Sequence, residues 1–349
     1  MTSAPAGATP IDERLAASAL AVMREAGAVG ADATATTLRQ LHGGWSRHSY
    51  VLDVADPERG QLACIVRVRP AGAVLDTDLV QEYRTFAALQ DLPVPTPAVF
   101  GLHADGDTPF GGPFFVMSRL EGESPNVWNA RERRVLEEDW AAGRRIADDL
   151  ARHLATIHGL TGEAAEAIVP ARSFAQTVEH WRGVWEEQRL VRDPIVDEAF
   201  HWVASRTPDP VRPRLVHGDY RIGNCLVDRG RLSGILDWEL AHVGDPRFDL
   251  GYLALPYSSG KLFAPGSELL GGVADRDWFL ARYADLTGDE VDLEVVRTFS
   301  VIAALMLTAI TATGIRVFRD GGSTDVRMLW SRFIMPGLRQ DMADLMGWR

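Results

Sequence analysis

The chain has 349 residues, of which 46% are hydrophobic and 24% charged, the composition of a globular protein able to bury a sizeable core. A formal charge of −12 and a pI near 5.2 argue against nucleic acid or an anionic membrane as partner. Two cysteines, Cys64 and Cys225, both lie in apolar runs, which excludes a disulfide scaffold and fits a reducing, cytoplasmic compartment.

Residues 1–10 are small and polar, without the basic and apolar regions of a signal peptide, and are expected to be disordered. Thr9-Pro10-Ile11-Asp12 predicts a helix start, with Thr9 as cap and proline in the first turn; Ile11, Leu15, Ala19 and Val22 then recur at helical spacing, and Gly27 can close the helix. Strands are predicted at 37–41, 50–54 and 62–68, separated by Gly43-Gly44 and by a turn from Asp56 to Gly60. A helix over 78–90 follows, and the proline run from Pro93 to Pro97 must be extended. Strands at 98–102 and 113–117 complete a five-stranded, mostly antiparallel unit with one helix.

After Gly122 the pattern turns helical. Ile146, Leu150, Leu154 and Ile157 mark an amphipathic helix that ends at His158-Gly159, and helices near 173–190 and 195–205 come next. Short strands at 214–216, 225–227 and 232–236 interrupt the helices, which resume beyond Pro246. The apolar stretch 299–315 falls short of the ~18–20 residues of a membrane span and reads as a buried core helix. The expected fold class is α+β in two lobes: a β-rich lobe over 1–119 and a helical lobe over 120–349.

The stretch with chemistry in it is Leu215-Val216-His217-Gly218-Asp219-Tyr220-Arg221-Ile222-Gly223-Asn224, followed by Ile235-Leu236-Asp237-Trp238-Glu239. Phosphoryl transfer needs a carboxylate that orients a hydroxyl and takes its proton, oxygen ligands for Mg²⁺, and a positive charge on the phosphates. A loop between short strands can place Asp219 and Asn224 on one side, with Asp237 returning across from them. Asp219 is the candidate catalytic residue, and Asn224 and Asp237 are the candidate metal ligands.

This segment resembles the signature of the aminoglycoside phosphotransferase and choline kinase superfamily, which has a protein-kinase-like fold. The run from Ile235 through Gly244-Asp245-Pro246 to Asp249-Leu250 is most similar to the kinase-like domains that occur alone in bacteria or fused to acyl-CoA dehydrogenases. The resemblance implies ATP and Mg²⁺ as cofactors, bound in a bilobal protein-kinase-like fold. It places Gly43, Gly44 and Ser46 in a phosphate loop, where glycines let backbone N–H groups approach phosphate oxygens. Arg47 stands where the family often has asparagine. Arg67 takes the position of the phosphate-contacting lysine, with Arg69 on the same strand face as the alternative; Lys261 is the chain's only lysine. Glu82 is then the ion-pair partner of the arginine. Met117, Ser118 and Leu120 belong to the adenine-reading hinge. His158 and Asp249 match positions that steady the catalytic loop.

The resemblance implies a small-molecule kinase whose acceptor is a hydroxyl, held by residues from about 120–140 and 256–330. A hydroxylated metabolite such as a hydroxyacyl-CoA is favoured over an aminoglycoside or macrolide antibiotic. A nucleotide-binding pseudokinase is the rival from another class. A protein kinase is disfavoured, since Asp237 reaches Asp245-Pro246 with no separate activation segment between them. Nucleic acid and membrane are not expected as partners, and the sequence leaves the oligomeric state open.

Overall fold

The computed structural model describes residues 12–41, 47–70, 73, 77–261 and 265–348. Residues 1–10, expected to be disordered, lie outside them, as do the proposed cap Thr9 and Pro10. Contacts divide the chain into one unit of Met1–Ala73 with Pro97–Arg119 and another of Val74–Thr96 with Leu120–Arg349.

In the first unit, helix α1 spans Glu13–Glu25. Its cap is Asp12 and not Thr9: the carboxylate accepts from the backbone N–H groups of Arg14 and Leu15 at 3.0 and 3.2 Å, satisfying donors that a first turn leaves orphaned. Strands β1 (Thr34–Leu41), β2 (His48–Asp56), β3 (Gly60–Val68), β4 (Val99–His103) and β5 (Phe114–Ser118) form one sheet. Its order is β1-β2-β3-β5-β4, and every neighbouring pair is antiparallel. The pleat sorts β3 by face. Cys64, Val66 and Val68 are buried in a core with Leu52, Val54, Phe114, Val116 and the apolar side of α1, while Arg67 takes the opposite face.

The second unit begins with α2 (Leu79–Leu89). This is the helix expected to accompany the five strands. Its contacts place it in the second unit, because Gln81 donates to the carbonyl of Ala241 at 2.9 Å and Thr77 beside it donates to Glu239 at 3.3 Å. Next come α3 (Ala130–Ala142), α4 (Arg145–His158), the single turn α5 (Glu163–Glu166), α6 (Phe174–Gln188) and α7 (Pro194–Ala204). Two small ladders follow: β6 (Arg214–Val216) pairs with β9 (His242–Gly244), and β7 (Cys225–Asp228) pairs with β8 (Arg231–Ile235). Helices α8 (Arg247–Ala254), α9 (Arg276–Thr287), α10 (Leu293–Arg319) and α11 (Ser331–Leu345) complete the unit.

At 27 residues, α10 is long and apolar enough by length and composition to cross a membrane, but 67% of its most apolar window is buried within the protein. Phe299, Ile302, Leu305 and Met306 pack with Trp185 of α6, Val203 of α7, Phe248 and Tyr252 of α8 and Leu338 of α11. Buried hydroxyls on it find carbonyl partners: Thr308 and Thr313 donate to those of Ala304 and Ala309 one turn back, and Ser300 to that of Gly251 on α8. That pattern lets a helix with polar residues serve as the core of the unit.

Asp341 on α11 makes one feature of this core pH-sensitive. Burial, helped by Asp344, pushes its carboxyl up to about 7, and a backbone hydrogen bond from Tyr257 offsets this only in part. One carboxylate oxygen has no hydrogen-bond partner among the described residues. Because the folded value lies above the ordinary one, the protonated acid favours the fold at low pH, and that contribution is lost as pH rises from about 4 through 7. Asp341→Asn is therefore expected to raise stability by about 1–2 kcal/mol at pH 8, after discounting for partial exposure, and to change little at pH 4. Thermal midpoints at the two pH values check this; a gain that is equal at both contradicts it.

Candidate active site

The chain leaves β6 at Val216 and enters a loop whose first residues are held from below. Asp249, wholly buried on α8, accepts from the backbone N–H of His217 at 2.8 Å and of Gly218 at 2.9 Å. A third donor is His158 at the end of α4, whose Nε2 lies 3.1 Å from Asp249 Oδ2. With that nitrogen donating, Nδ1 is the acceptor for the hydroxyl of Tyr283, at 2.7 Å. Burial alone would push Asp249 up, but the hydrogen bonds from the His158 ring and from the backbone of His217 hold its carboxyl below the usual carboxylate range. A Tyr283–His158–Asp249 chain thus fixes two backbone groups of the loop. Tyr220, also buried, anchors the loop again by donating to the carbonyl of Leu150 at 2.8 Å.

Gly218 has φ +87°, and a Cβ there would lie 2.5 Å from the carbonyl oxygen of Leu240. The position requires glycine both for its backbone conformation and for the approach of the 238–240 turn. His217 then ties two segments together. Its Nε2 faces the carbonyl of Leu236 at 3.0 Å, which can only accept, so Nε2 carries the proton and Nδ1 accepts from the N–H of Asp219 at 3.2 Å. The ring packs 4.4 Å from that of buried Trp238. The neutral imidazole thereby links the residue before Asp237 to Asp219.

Asn224 ends a short 3-10 turn, Ile222–Asn224. Its side-chain amide donates to the carbonyl of Asp219 at 2.9 Å, which fixes the amide orientation and leaves Oδ1 as the atom able to ligate. Its own carbonyl accepts from the N–H of Leu236 at 2.9 Å. The pairing of Cys225 with Ile235 continues this register, so Asn224 and Asp237 lie at the same end of the β7–β8 hairpin. Asp237 follows β8 in the left-handed region, φ 69° and ψ 58°, at the head of the turn Trp238–Leu240. A non-glycine residue there costs roughly 1–2 kcal/mol and is the kind of strain that clusters at functional sites. Asp149, on buried α4, steadies the hairpin from behind through a two-pronged bond to Arg231, 2.6 Å on each arm.

The sequence reading gave no role to Arg221, yet its Nε donates to Asp219 Oδ1 at 3.0 Å. Burial would lower its pKa, but Asp219, followed by Tyr252, Tyr257 and Asp237, raises it well above its ordinary value. The Tyr252 hydroxyl also bonds to Asp219, and burial with that carboxylate pushes its own proton loss far up. Arg221 is two residues from Asp219, so sequence spacing could have flagged it; Tyr252 comes from α8 and carried no local signal. Ser124 donates to the carbonyl of Gly223, and Trp128 meets Tyr257 at 5.1 Å, edge to face. The two stretches expected to hold the acceptor, near 120–140 and 256–330, therefore touch each other, and the first also touches the loop.

The remaining predicted residues lie on other elements or outside the described residues. Gly43, Gly44 and Ser46 lie outside the described residues. Arg67 sits in β3 opposite Ser49 and Phe115, and Arg69 lies just past the strand end. Glu82 is fully buried on α2. Met117 is buried in β5. The Ser118 N–H is taken by the carbonyl of Ala98 at 2.7 Å. Among the described residues no group of three His, Cys, Asp or Glu side chains could hold a metal ion. An amide oxygen and a carboxylate at one hairpin end instead suit Mg²⁺, which keeps several waters and takes few protein ligands.

Comparison with known proteins places this geometry. A model of the phosphotransferase enzyme family matches residues 37–285. Acyl-CoA dehydrogenase family member 10 of Mus musculus is 26% identical over 251 residues, 69% of this chain but 22% of that protein, so the chain spans about a fifth of this relative's length. A candidate aminoglycoside phosphotransferase from Ralstonia eutropha has a similar fold, with a TM-score of 0.70 at 20% identity, covering 96% of this chain and 98% of the other. A macrolide 2′-phosphotransferase from Brachybacterium faecium aligns with a TM-score of 0.55 at 21% identity, covering 90% of this chain and 97% of the other.

Proposed function

Because the chain belongs to the phosphotransferase enzyme family, a family of small-molecule kinases that use ATP with Mg²⁺, we propose that Asp219, Asn224 and Asp237 are its reaction centre. The observation that carries this is the shared anchoring of the three: His217 bridges the Asp219 and Asp237 segments while Asn224 bonds to the backbone of Asp219. In the proposed reaction the acceptor hydroxyl oxygen attacks the γ-phosphorus, the bond from phosphorus to the ADP oxygen breaks, and the hydroxyl proton passes to Asp219. Arg221 and Tyr252 hold the carboxylate in one orientation as the hydroxyl approaches. Asn224 and Asp237 would hold Mg²⁺, which when bound neutralises charge on the phosphates. We assign phosphate contacts to Gly43, Gly44, Ser46 and Arg67, with Arg69 the alternative for the last and Glu82 orienting the arginine. Met117, Ser118 and Leu120 are assigned to adenine. The Leu120 N–H has no partner among the described residues, whereas that of Ser118 is already used.

For the acceptor we favour a hydroxylated metabolite such as a hydroxyacyl-CoA, supported by the resemblance to an acyl-CoA dehydrogenase family member; antibiotic kinases among the structural neighbours support the second reading. ADP release measured with a panel of hydroxyacyl-CoA thioesters, aminoglycosides and macrolides separates them. The expected result is turnover of a thioester with the antibiotics at background, and the converse result overturns the preference.

A further inference from the structure

The Arg221 side chain lies folded over Gly223: a Cβ on that glycine would come within 2.1 Å of one terminal guanidinium nitrogen. Two residues of the loop are thus shaped around keeping the guanidinium beside Asp219. Nε is bonded to Asp219, while no other guanidinium N–H has a partner among the described residues, although only 27% of the side chain is exposed. Tyr252 and Tyr257 flank it. Asp219 and Arg221 therefore present a neutral pair to an incoming hydroxyl, with spare N–H donors pointing from the positive half. An acceptor with an ammonium group near its reacting hydroxyl gains little from the neutral pair and loses its hydration. An acceptor with a carboxylate or carbonyl oxygen near that hydroxyl can take the spare donors of the planar fork. The other acids nearby are Asp237, assigned above to Mg²⁺, and Asp341, bonded to the backbone of Tyr257; burial pushes Asp341 up to about 7 and weakens its pull on a cation at neutral pH.

We propose that Arg221 is the residue that selects the acceptor by charge, admitting hydroxyl compounds with a carboxylate or carbonyl oxygen close to the reacting hydroxyl and rejecting those with an ammonium group there. This rests on the reaction centre proposed above and names the substrate class of that same site.

The test uses the full chain with ATP and Mg²⁺ and a matched set of short-chain alcohols. At one fixed distance from the hydroxyl they carry a carboxylate, a thioester, a methyl group or a primary ammonium. In the wild type, kcat/KM is expected to be highest for the two oxygen-bearing acceptors and lowest for the ammonium. Arg221→Gln loosens Asp219 and should lower kcat for every acceptor, but it should lower kcat/KM for the oxygen-bearing pair about 10–100-fold more than for the methyl compound, mainly through KM, and raise the ammonium compound relative to the methyl one. Arg221→Lys, which keeps the charge without the fork, should restore part of the loss and guards against a glutamine variant that fails to fold. A wild type with equal kcat/KM for all four, or an Arg221→Gln loss equal across all four, overturns the selection. Absence of turnover with these or any other hydroxyl, despite bound nucleotide, instead removes the reaction centre itself, and the selection with it.

Discussion

Asp219→Asn is expected to lower kcat for phosphoryl transfer about a hundred- to ten-thousandfold, the usual contribution of a positioned base, while ATP–Mg²⁺ binding stays within about threefold. The substitution keeps shape and one acceptor oxygen, so Arg221 can still bond at this position. What it removes is the atom that takes the hydroxyl proton. The backbone carbonyl of residue 219, which orients the Asn224 amide, is unaffected, so the metal-ligand side should persist. Single-turnover kinetics with nucleotide binding measured in parallel separates the two effects. A parallel fall in nucleotide affinity would show that Asp219 acts in binding and not in the chemical step.

The second large effect is expected at Asp249. Its two oxygens serve three donors in a fully buried place: the backbone of His217, the backbone of Gly218 and the ring of His158. Asp249→Ala leaves all three without a partner, at a cost of about 3–5 kcal/mol, since each orphaned buried donor costs about 1–3 kcal/mol. Because the folded carboxyl is held below its ordinary value, its stabilisation is present above that ordinary value and lost as pH falls through the folded one. The variant should therefore lose most stability near neutral pH and differ less from wild type in acid. Activity should fall as well, since the freed loop carries Asp219. Denaturant midpoints at neutral and acid pH check this; a loss below about 1 kcal/mol at neutral pH contradicts the anchoring role.

Alternation and helical spacing made most of the elements legible. The β3 run from Cys64 to Val68 alternates because one face enters the core, and Ile146, Leu150, Leu154 and Ile157 all turn inward on α4. Local patterning failed where a long-range contact decides. The affiliation of α2 is set by bonds to Ala241 and Glu239 more than 150 residues away, which leave no mark on its own sequence. Helix α3 carries charges on all sides and buries Leu136 alone, so it has no apolar stripe to read. The cap of α1 was misplaced because Thr9 and Asp12 are both good caps, and the carboxylate wins by reaching two N–H groups. At the site, Asp219, Asn224 and Asp237 stood out because their chemistry is carried by short spacing in the chain. Arg221 was equally close but was passed over, since a charged residue in a loop is usually solvated. The Tyr283–His158–Asp249 chain joins three helices and becomes visible only once they fold together.

The central claim is that phosphate moves from ATP to a hydroxyl at Asp219. Phosphorus-31 NMR of the wild-type chain with ATP, Mg²⁺ and an acceptor tests it most directly, with Asp219→Asn run beside it. The predicted result is a new phosphomonoester resonance growing with ADP in the wild type and strongly suppressed in Asp219→Asn at equal nucleotide occupancy. Formation of the ester at the same rate in both proteins, or tight ATP binding with no ester from any hydroxyl acceptor, would contradict it; the latter is the behaviour of a nucleotide-binding pseudokinase.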